Sequence, residues 1–524
     1  MGAWSLYFLA KLGLYYHRVM GLHWLANVLL ALALAWPLAS ARARLLRGAL
    51  AIPAALALLV YDSYLPPWTQ LIDDAGALGN FRAGYLLELA RRILPLRALL
   101  ALAVLVLAYA LLRHRVRFAT LAFLGLGLAA VVPVPGVAPP PPDSSIYVRA
   151  GEAPGPESGP EPSAPQLDTA LDAFYGSERG KTVSFARAGP ARFDLVLLSV
   201  CSLSNDDLDY THLRDAPLLA RFDIVFRQFN SAATYSGPAV LRLLHGTCGQ
   251  TPQGELYGGT APDACYLFRS LAASGYRPAL LLNHDGHFDH FADQLRLQGG
   301  VGVDPQDNRG APVAMTSFDG SPLRADFDLL SQWWARHEAD EAHNVLLYNT
   351  ISLHDGNRLP GVKGSSLETY APRLQRLFSD LGRFLDLIEA SGRPTVIVLM
   401  PEHGAALRGD AVQVAGLREL PTPAITSVPV AVKLVGFPSL AGPSKAPLLI
   451  DRPASYLALT ALLAGLTQLG PAQASSASLQ TLVRALPPTE WVAQNEATVV
   501  YRRAGRNYLR APDGQWTDFA GNAP

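Results

Sequence analysis

The first 137 residues set the terms for the whole chain, because they hold four long apolar segments: about Met20 to Ser40, Ala49 to Leu65, Leu94 to Leu112 and Phe118 to Val137. Each approaches the roughly 20 residues that a helix needs to cross a bilayer. Buried core helices could share this composition, but four nearly charge-free runs in succession read as an integral membrane anchor of four helices. The first run lies too deep, and lacks the small-residue cleavage site, to be a removable signal peptide. Arg42, Arg44 and Arg47 crowd the connection between the first two segments, and Arg113, Arg115 and Arg117 crowd that between the last two. Both connections are therefore expected on the cytoplasmic side. Four crossings then place everything after Val137 outside the cytoplasmic membrane, in the periplasm of a Gram-negative-like cell. Arg82, Arg91, Arg92 and Arg97 run against this arrangement. Trp4 to Arg18, with Lys11 among aromatics and leucines, reads as an interfacial helix or a fifth crossing.

The anchor is expected over 1–137, and a Pro-rich spacer over 138–166 with too few apolar residues for a core. Beyond it lie continuous apolar runs at 193–200, 278–282, 344–348, 395–400 and 428–434, separated by helical patterns such as Tyr370 to Glu389. Buried strands alternating with helices predict an α/β sheet covered on both faces, over 167–485. Residues 486–524, with turns at Ala504-Gly505 and Asp513-Gly514, read as a small β extension. Lys+Arg and Asp+Glu are equal at 43 each, so nothing suggests a nucleic-acid partner.

In such sheets ligands gather beyond the carboxyl ends of the strands, and three of these runs end in chemistry. Cys201 follows the first, His354 comes shortly after 344–348, and Glu402-His403 follows 395–400. A fourth piece is Thr234-Tyr235-Ser236-Gly237-Pro238-Ala239, where an extended segment becomes a helix running from Gly237 to about Leu244. Ser236 is expected as its N-cap, with its hydroxyl where free N–H groups and the positive helix end suit a phosphate. Most capping serines only cap. A thiolate, a carboxylate, an imidazole and a serine oxygen nevertheless make a four-coordinate zinc set, with the serine in the position otherwise open to water. The dull readings are a core cysteine, a turn at Pro401-Glu402-His403-Gly404 and a loop histidine at His354. Asn283-His284-Asp285-Gly286-His287-Phe288-Asp289-His290 is dense in ligand types, but Gly286 interrupts any shared helix face, and a polar loop explains it better than a second metal.

Taken together, LSVCSLS, FNSAATYSGPAVLRLLHGTCGQ, LYNTISLHDGNR, VLMPEHGAALRGD and GLRELPTPAITSVPVAVK resemble, in order and spacing, the BcsG family of cellulose phosphoethanolamine transferases. The likeness extends from the membrane segments to about residue 465. It implies an alkaline-phosphatase-like α/β/α sandwich, placed in the periplasm on a membrane anchor. It implies transfer of phosphoethanolamine from phosphatidylethanolamine to glucose O6 of nascent cellulose, alongside other subunits of the secretion complex. It also implies zinc held by Cys201, Ser236, Glu402 and His403, with Ser236 as nucleophile, and His354, Tyr235 and Arg418 lining the phosphate or substrate site. Cys248 and Cys265 fall where that family has a disulfide. Lipid A phosphoethanolamine transferases, more distant relatives, carry a carboxylate at the position of Cys201, a threonine nucleophile and Asp-His at the position of Glu402-His403, so this chain departs from them at three points. The rival readings are a transferase acting on lipid A or another glycan, a sulfatase or phosphatase, and a non-catalytic scaffold of the secretion complex. No Cys-x-Pro-x-Arg sequence surrounds Ser236, which disfavours a sulfatase.

Overall fold

The computed structural model describes residues 2–16, 20–62, 81–93, 96–131, 162–185, 192–258, 261–409, 413, 415–437 and 446–519. They fall into two compact units, Met1–Tyr147 and Val148–Pro524. The expected spacer lies outside the described residues as far as 161.

In the first unit one described helix, Ala41–Asp62, is long and apolar enough to cross a membrane. Its 22 residues span about 33 Å at about 1.5 Å each. Trp24–Ala35, Leu96–Leu112 and Phe118–Val131 are apolar but shorter. The segment expected from Met20 shrinks at both ends, and Pro37 forbids extension beyond Trp36. Residues 94–95 and 132–137 of the last two expected segments lie outside the described residues. Arg42, Arg44 and Arg47 are not in a loop as expected, because the second expected segment begins at Ala41 rather than Ala49 and carries them in its first turns. There Arg44 donates to the carbonyls of Leu38 and Ala39, and Arg47 to those of Ala33 and Trp36. The Arg47 bonds satisfy carbonyls at the end of the preceding helix, and the Arg44 bonds those of the connection that follows it. The opening helix, Trp4–Tyr16, packs Phe8 and Leu12 into the same apolar cluster as Ala122 and Leu126. Its one cation, Lys11, is buried against Asp62 at 2.6 Å.

The second unit is built on a seven-stranded sheet. Its strands are β1 (Asp194–Val200), β2 (Ile224–Asn230), β3 (Arg277–Leu282), β6 (Asn344–Thr350), β7 (Thr395–Pro401), β8 (Ser427–Val435) and β9 (Leu448–Ile450), in the order β3-β6-β1-β7-β8-β2-β9. A short pair, β4 (Val313–Thr316) and β5 (Pro322–Arg324), stands apart. Strands β3, β6, β1 and β7 are parallel; β8 runs antiparallel to both β7 and β2. Strand β2 therefore points the same way as β1, and its end at Asn230 reaches the same edge as Val200, Thr350 and Pro401. Two apolar layers cover the faces. One gathers Leu197, Val398 and Leu459, and the other Val196, Ile397 and Phe384. Alternate residues of β1 serve opposite layers, as the period of a strand requires.

All five apolar runs are strands, within one or two residues of their expected ends. Strands β2 and β9 were not expected; β2 carries Arg227 and Gln228 on a half-exposed stretch, which breaks the apolar run. The carboxyl-terminal extension is a four-stranded antiparallel sheet, β10 (Trp491–Asn495), β11 (Thr498–Arg503), β12 (Arg506–Arg510) and β13 (Trp516–Phe519). The helix Ala164–Glu178, begun by a capping box between Ser163 and Gln166, packs Leu171 and Phe174 against Val492 and Val499 of that sheet.

Candidate metal centre

Parallel neighbours in register bring the expected residues to one edge. Val200 pairs with Pro401 across β1 and β7, so the next residues, Cys201 and Glu402, emerge side by side. The Cys201 N–H donates to the Thr350 carbonyl at 3.0 Å, and the Glu402 N–H to the Val200 carbonyl at 2.9 Å. Directly after Cys201, Ser202 takes a left-handed conformation, φ 65°, unusual for a residue other than glycine and a mark of functional loops when the surroundings hold it. Here Tyr370 Oη donates to its carbonyl at 2.5 Å and Arg418 donates to its hydroxyl at 3.2 Å.

Strand β2 delivers the serine. The helix runs Ser236–Leu244 with Tyr235 as its N-cap, and Tyr235 makes no side-chain capping bond. Ser236 is thus the first helical residue, not the cap as expected, because the extended conformation extends one residue further, through Tyr235 (φ −130°, ψ 154°). This leaves the serine hydroxyl free of capping duty. Its Oγ lies 3.4 Å from Cys201 Sγ and 3.4 Å from His403 Nε2. Gly237 next to it leaves room for Gln294 and Tyr257, since a Cβ there would stand 2.8 Å from Gln294 Oε1 and 3.2 Å from Tyr257 Oη and make those side-chain ends shift.

The ligand atoms of Cys201, Glu402 and His403 all lie within 4.8 Å of one another and are buried; no other such cluster occurs among the described residues. His403 Nδ1 lies 2.9 Å from the Gly404 carbonyl, which assigns the proton to Nδ1 and leaves the Nε2 lone pair facing Cys201 Sγ at 3.8 Å. Arg418 Nη1, 3.2 Å from the same Nδ1, then meets a second donor and acts as a nearby positive charge. Burial, then Arg418, hold His403 well below the ordinary imidazole range. Burial lifts Glu402 to about 7 against the opposing donors Ser199 and Asn349 and the nearby Ser236 hydroxyl. Burial and the Glu402 charge push the Cys201 thiol up to about 11.

These side chains fit a zinc ion. Zn–S near 2.3 Å and Zn–N near 2.0–2.1 Å give tetrahedral edges of about 3.3–3.6 Å, close to the two 3.4 Å separations and a little below the third, 3.8 Å. The donor set is a thiol, an imidazole lone pair and a carboxylate. Glu402 Oε2 is buried without a protein partner, an arrangement that costs free energy unless something coordinates it.

His354 joins the same edge, and burial and then Arg418 hold its imidazole at about 4. Its Nδ1 donates to the Asp355 carbonyl at 2.7 Å, and its ring lies 4.3 Å from that of Phe318. Tyr235 Oη donates to Glu419 at 2.6 Å, and the Arg418 guanidinium lies 5.1 Å from the Tyr235 ring centroid. Cys248 and Cys265 form a disulfide. Sequence reasoning missed Ser199 and Asn349, which both donate to Glu402 Oε1. The signal was there: each is a polar residue near the carboxyl end of an otherwise apolar strand.

The model of the cellulose biosynthesis protein BcsG C-terminal domain matches residues 152–516, and that of the BcsG N-terminal domain matches residues 4–131. The chain belongs to the BcsG family. The resemblance read from its motifs is therefore sound, and with it the enzyme class, a phosphoethanolamine transferase. Cellulose biosynthesis protein BcsG of Escherichia coli is 34% identical over 547 residues, covering 99% of this chain and 96% of that one. The Salmonella typhimurium protein of the same name is 33% identical over 542 residues, with the same coverage. A solved alkaline phosphatase superfamily protein from Vibrio parahaemolyticus superposes with TM-score 0.47 at 15% identity, covering 67% of this chain and 87% of that chain.

Proposed function

We propose that this chain transfers phosphoethanolamine from phosphatidylethanolamine to glucose O6 of nascent cellulose through a covalent intermediate on Ser236, with zinc held by Cys201, Ser236, Glu402 and His403. The observation that carries this is the uncapped Ser236 hydroxyl, 3.4 Å from both Cys201 Sγ and His403 Nε2 at the start of a helix. Zinc would supply a Lewis acid that lowers the pKa of the serine hydroxyl and offsets phosphoryl charge.

In the first step the Ser236 oxygen attacks phosphorus, the bond to diacylglycerol breaks, and the serine proton ends on the diacylglycerol oxygen. In the second, the glucosyl O6 attacks, the serine–phosphorus bond breaks, and the sugar proton returns to Ser236. His354 is assigned both transfers: with its Nδ1 proton committed to Asp355 and its charge suppressed, Nε2 is a neutral acceptor. Arg418 and the Ser236 helix start oppose the phosphoryl charge, and Tyr235 carries Arg418 above its ring.

The lipid donor gives the anchor its purpose. Leu25, Leu29, Leu32, Leu46 and Leu50 are exposed on the helices of the first unit, as side chains facing lipid would be. We read this unit as a multi-pass inner-membrane anchor, the catalytic domain as periplasmic, and other subunits of the cellulose-secretion complex as its neighbours. The test is solid-state NMR of cellulose from cells carrying the wild-type chain or Ser236→Ala. The aminoethyl phosphate signal should vanish with Ser236; its persistence would leave a scaffold, or another acceptor, as the better reading.

A further inference from the structure

The histidine-rich loop after β3 holds one imidazole that faces inward. We infer that His284 and Asn349 form a positioning relay that dictates which oxygen of Glu402 is presented to the metal, an inference resting on the metal centre proposed above.

Every link in the relay has a defined direction. His284 is buried, and its Nδ1 accepts the Gly286 N–H at 3.1 Å. The ring proton must then sit on Nε2, which donates to Asn349 Oδ1 at 3.0 Å. That bond fixes the amide orientation, so Asn349 Nδ2 donates to Glu402 Oε1 at 2.5 Å and to Ser199 Oγ at 3.3 Å. Ser199 Oγ in turn donates to Glu402 Oε1 at 2.6 Å. Two donors occupy Oε1, and Oε2 is left buried with no protein partner. Were the imidazole to carry its proton on Nδ1, Asn349 would be free to turn its carbonyl toward the carboxylate and repel it.

The loop is shaped to hold this tautomer. Gly286 has φ +72°, and a Cβ there would meet Ala292 Cβ at 2.8 Å and Leu282 Cδ1 at 2.9 Å, so only glycine brings this N–H onto the ring. Asn308 donates to the carbonyls of Leu282 and His284, pinning the backbone on either side. Burial also holds the imidazole below its ordinary range, so the relay keeps its direction through neutral pH. His284 thus acts through Asn349 on Glu402 and serves a role different from that of a second metal ligand.

The experiment measures zinc affinity by chelator competition on the full chain in detergent, for wild type, Cys201→Ala, His284→Leu and His284→Gln, with melting of each metal-free protein alongside. Outer-shell partners are typically worth tenfold to a hundredfold in metal affinity. His284→Leu should weaken zinc by about that factor, whereas His284→Gln, which keeps a donor at the position of Nε2, should stay within about threefold of wild type. Equal losses in both variants, or wild-type affinity in His284→Leu, would overturn the relay. The metal-free melting temperatures show whether a loss comes from unfolding; a loss in His284→Leu that disappears on comparison at matched folded fraction also counts against it. If wild type and Cys201→Ala bind zinc alike, the metal centre fails and takes the relay with it.

Discussion

At the scale of single residues, two of the three proposed protein ligands in the buried cluster, Cys201 and Glu402, are held toward the protonated state that a metal must displace. Without zinc, the Cys201 thiol at about 11 keeps its proton at neutral pH, and Glu402 at about 7 keeps a share of one. His403, held low by burial, brings none. Zinc binding at pH 7 should therefore release about one to two protons, and affinity should rise with pH and fall on acidification. Calorimetry in buffers of different ionisation enthalpy measures that number; a value near zero would mean that Cys201 is not a ligand. His354 should behave differently. With its imidazole near 4, no ionisation of this residue should appear in the rate between pH 6 and 8. His354→Ala should slow transfer by about a hundredfold or more while zinc content stays that of wild type; parallel loss of zinc would make it a structural residue.

At the scale of elements, what was legible in the sequence was whatever leaves a continuous local signal. The runs around Leu197, Leu347 and Ile397 declare buried parallel strands because both faces are covered, and their carboxyl ends pointed directly to Cys201 and Glu402-His403. Strand β2 was missed because Arg227 and Gln228 interrupt its run, yet it is the strand that carries the helix of Ser236 to the site. The one-residue error at Ser236 has a similar cause, since nothing local decides whether Tyr235 or Ser236 leaves the extended conformation first. The position of Asn349 at the end of its strand was legible, but its partners were not, because they are contacts made across 53 residues of sequence to Glu402 and 65 to His284. One element can be tested on its own. The Cys248–Cys265 disulfide closes a loop of sequence separation 17, adjoining Gly249, where a Cβ would lie 2.2 Å from the Glu178 carbonyl oxygen. Replacing both cysteines by serine should cost about 3 kcal/mol, read from the denaturation midpoint of the full chain in detergent. A cost below about 1 kcal/mol would show that the loop is held by packing alone.

At the scale of the whole molecule, the proposed topology is open to a direct check. Reporters fused after Arg115 should be active only as cytoplasmic reporters, and reporters fused after Val148 only as periplasmic ones. The opposite pattern at Val148 would place the transferase unit on the wrong side for an oxidised Cys248–Cys265 pair. The register that sets Val200 beside Pro401 has a further consequence in time. Cys201 and His403 are separated by 202 residues, and β1 lies between β6 and β7, both made much later. A chain emerging amino terminus first exposes a lone thiol long before either partner exists, and no partial sheet can offer a complete metal site. Zinc capture at the proposed centre would thus report on assembly: the ion can be held firmly only by a chain synthesised at least through His403, with β1 threaded between β6 and β7.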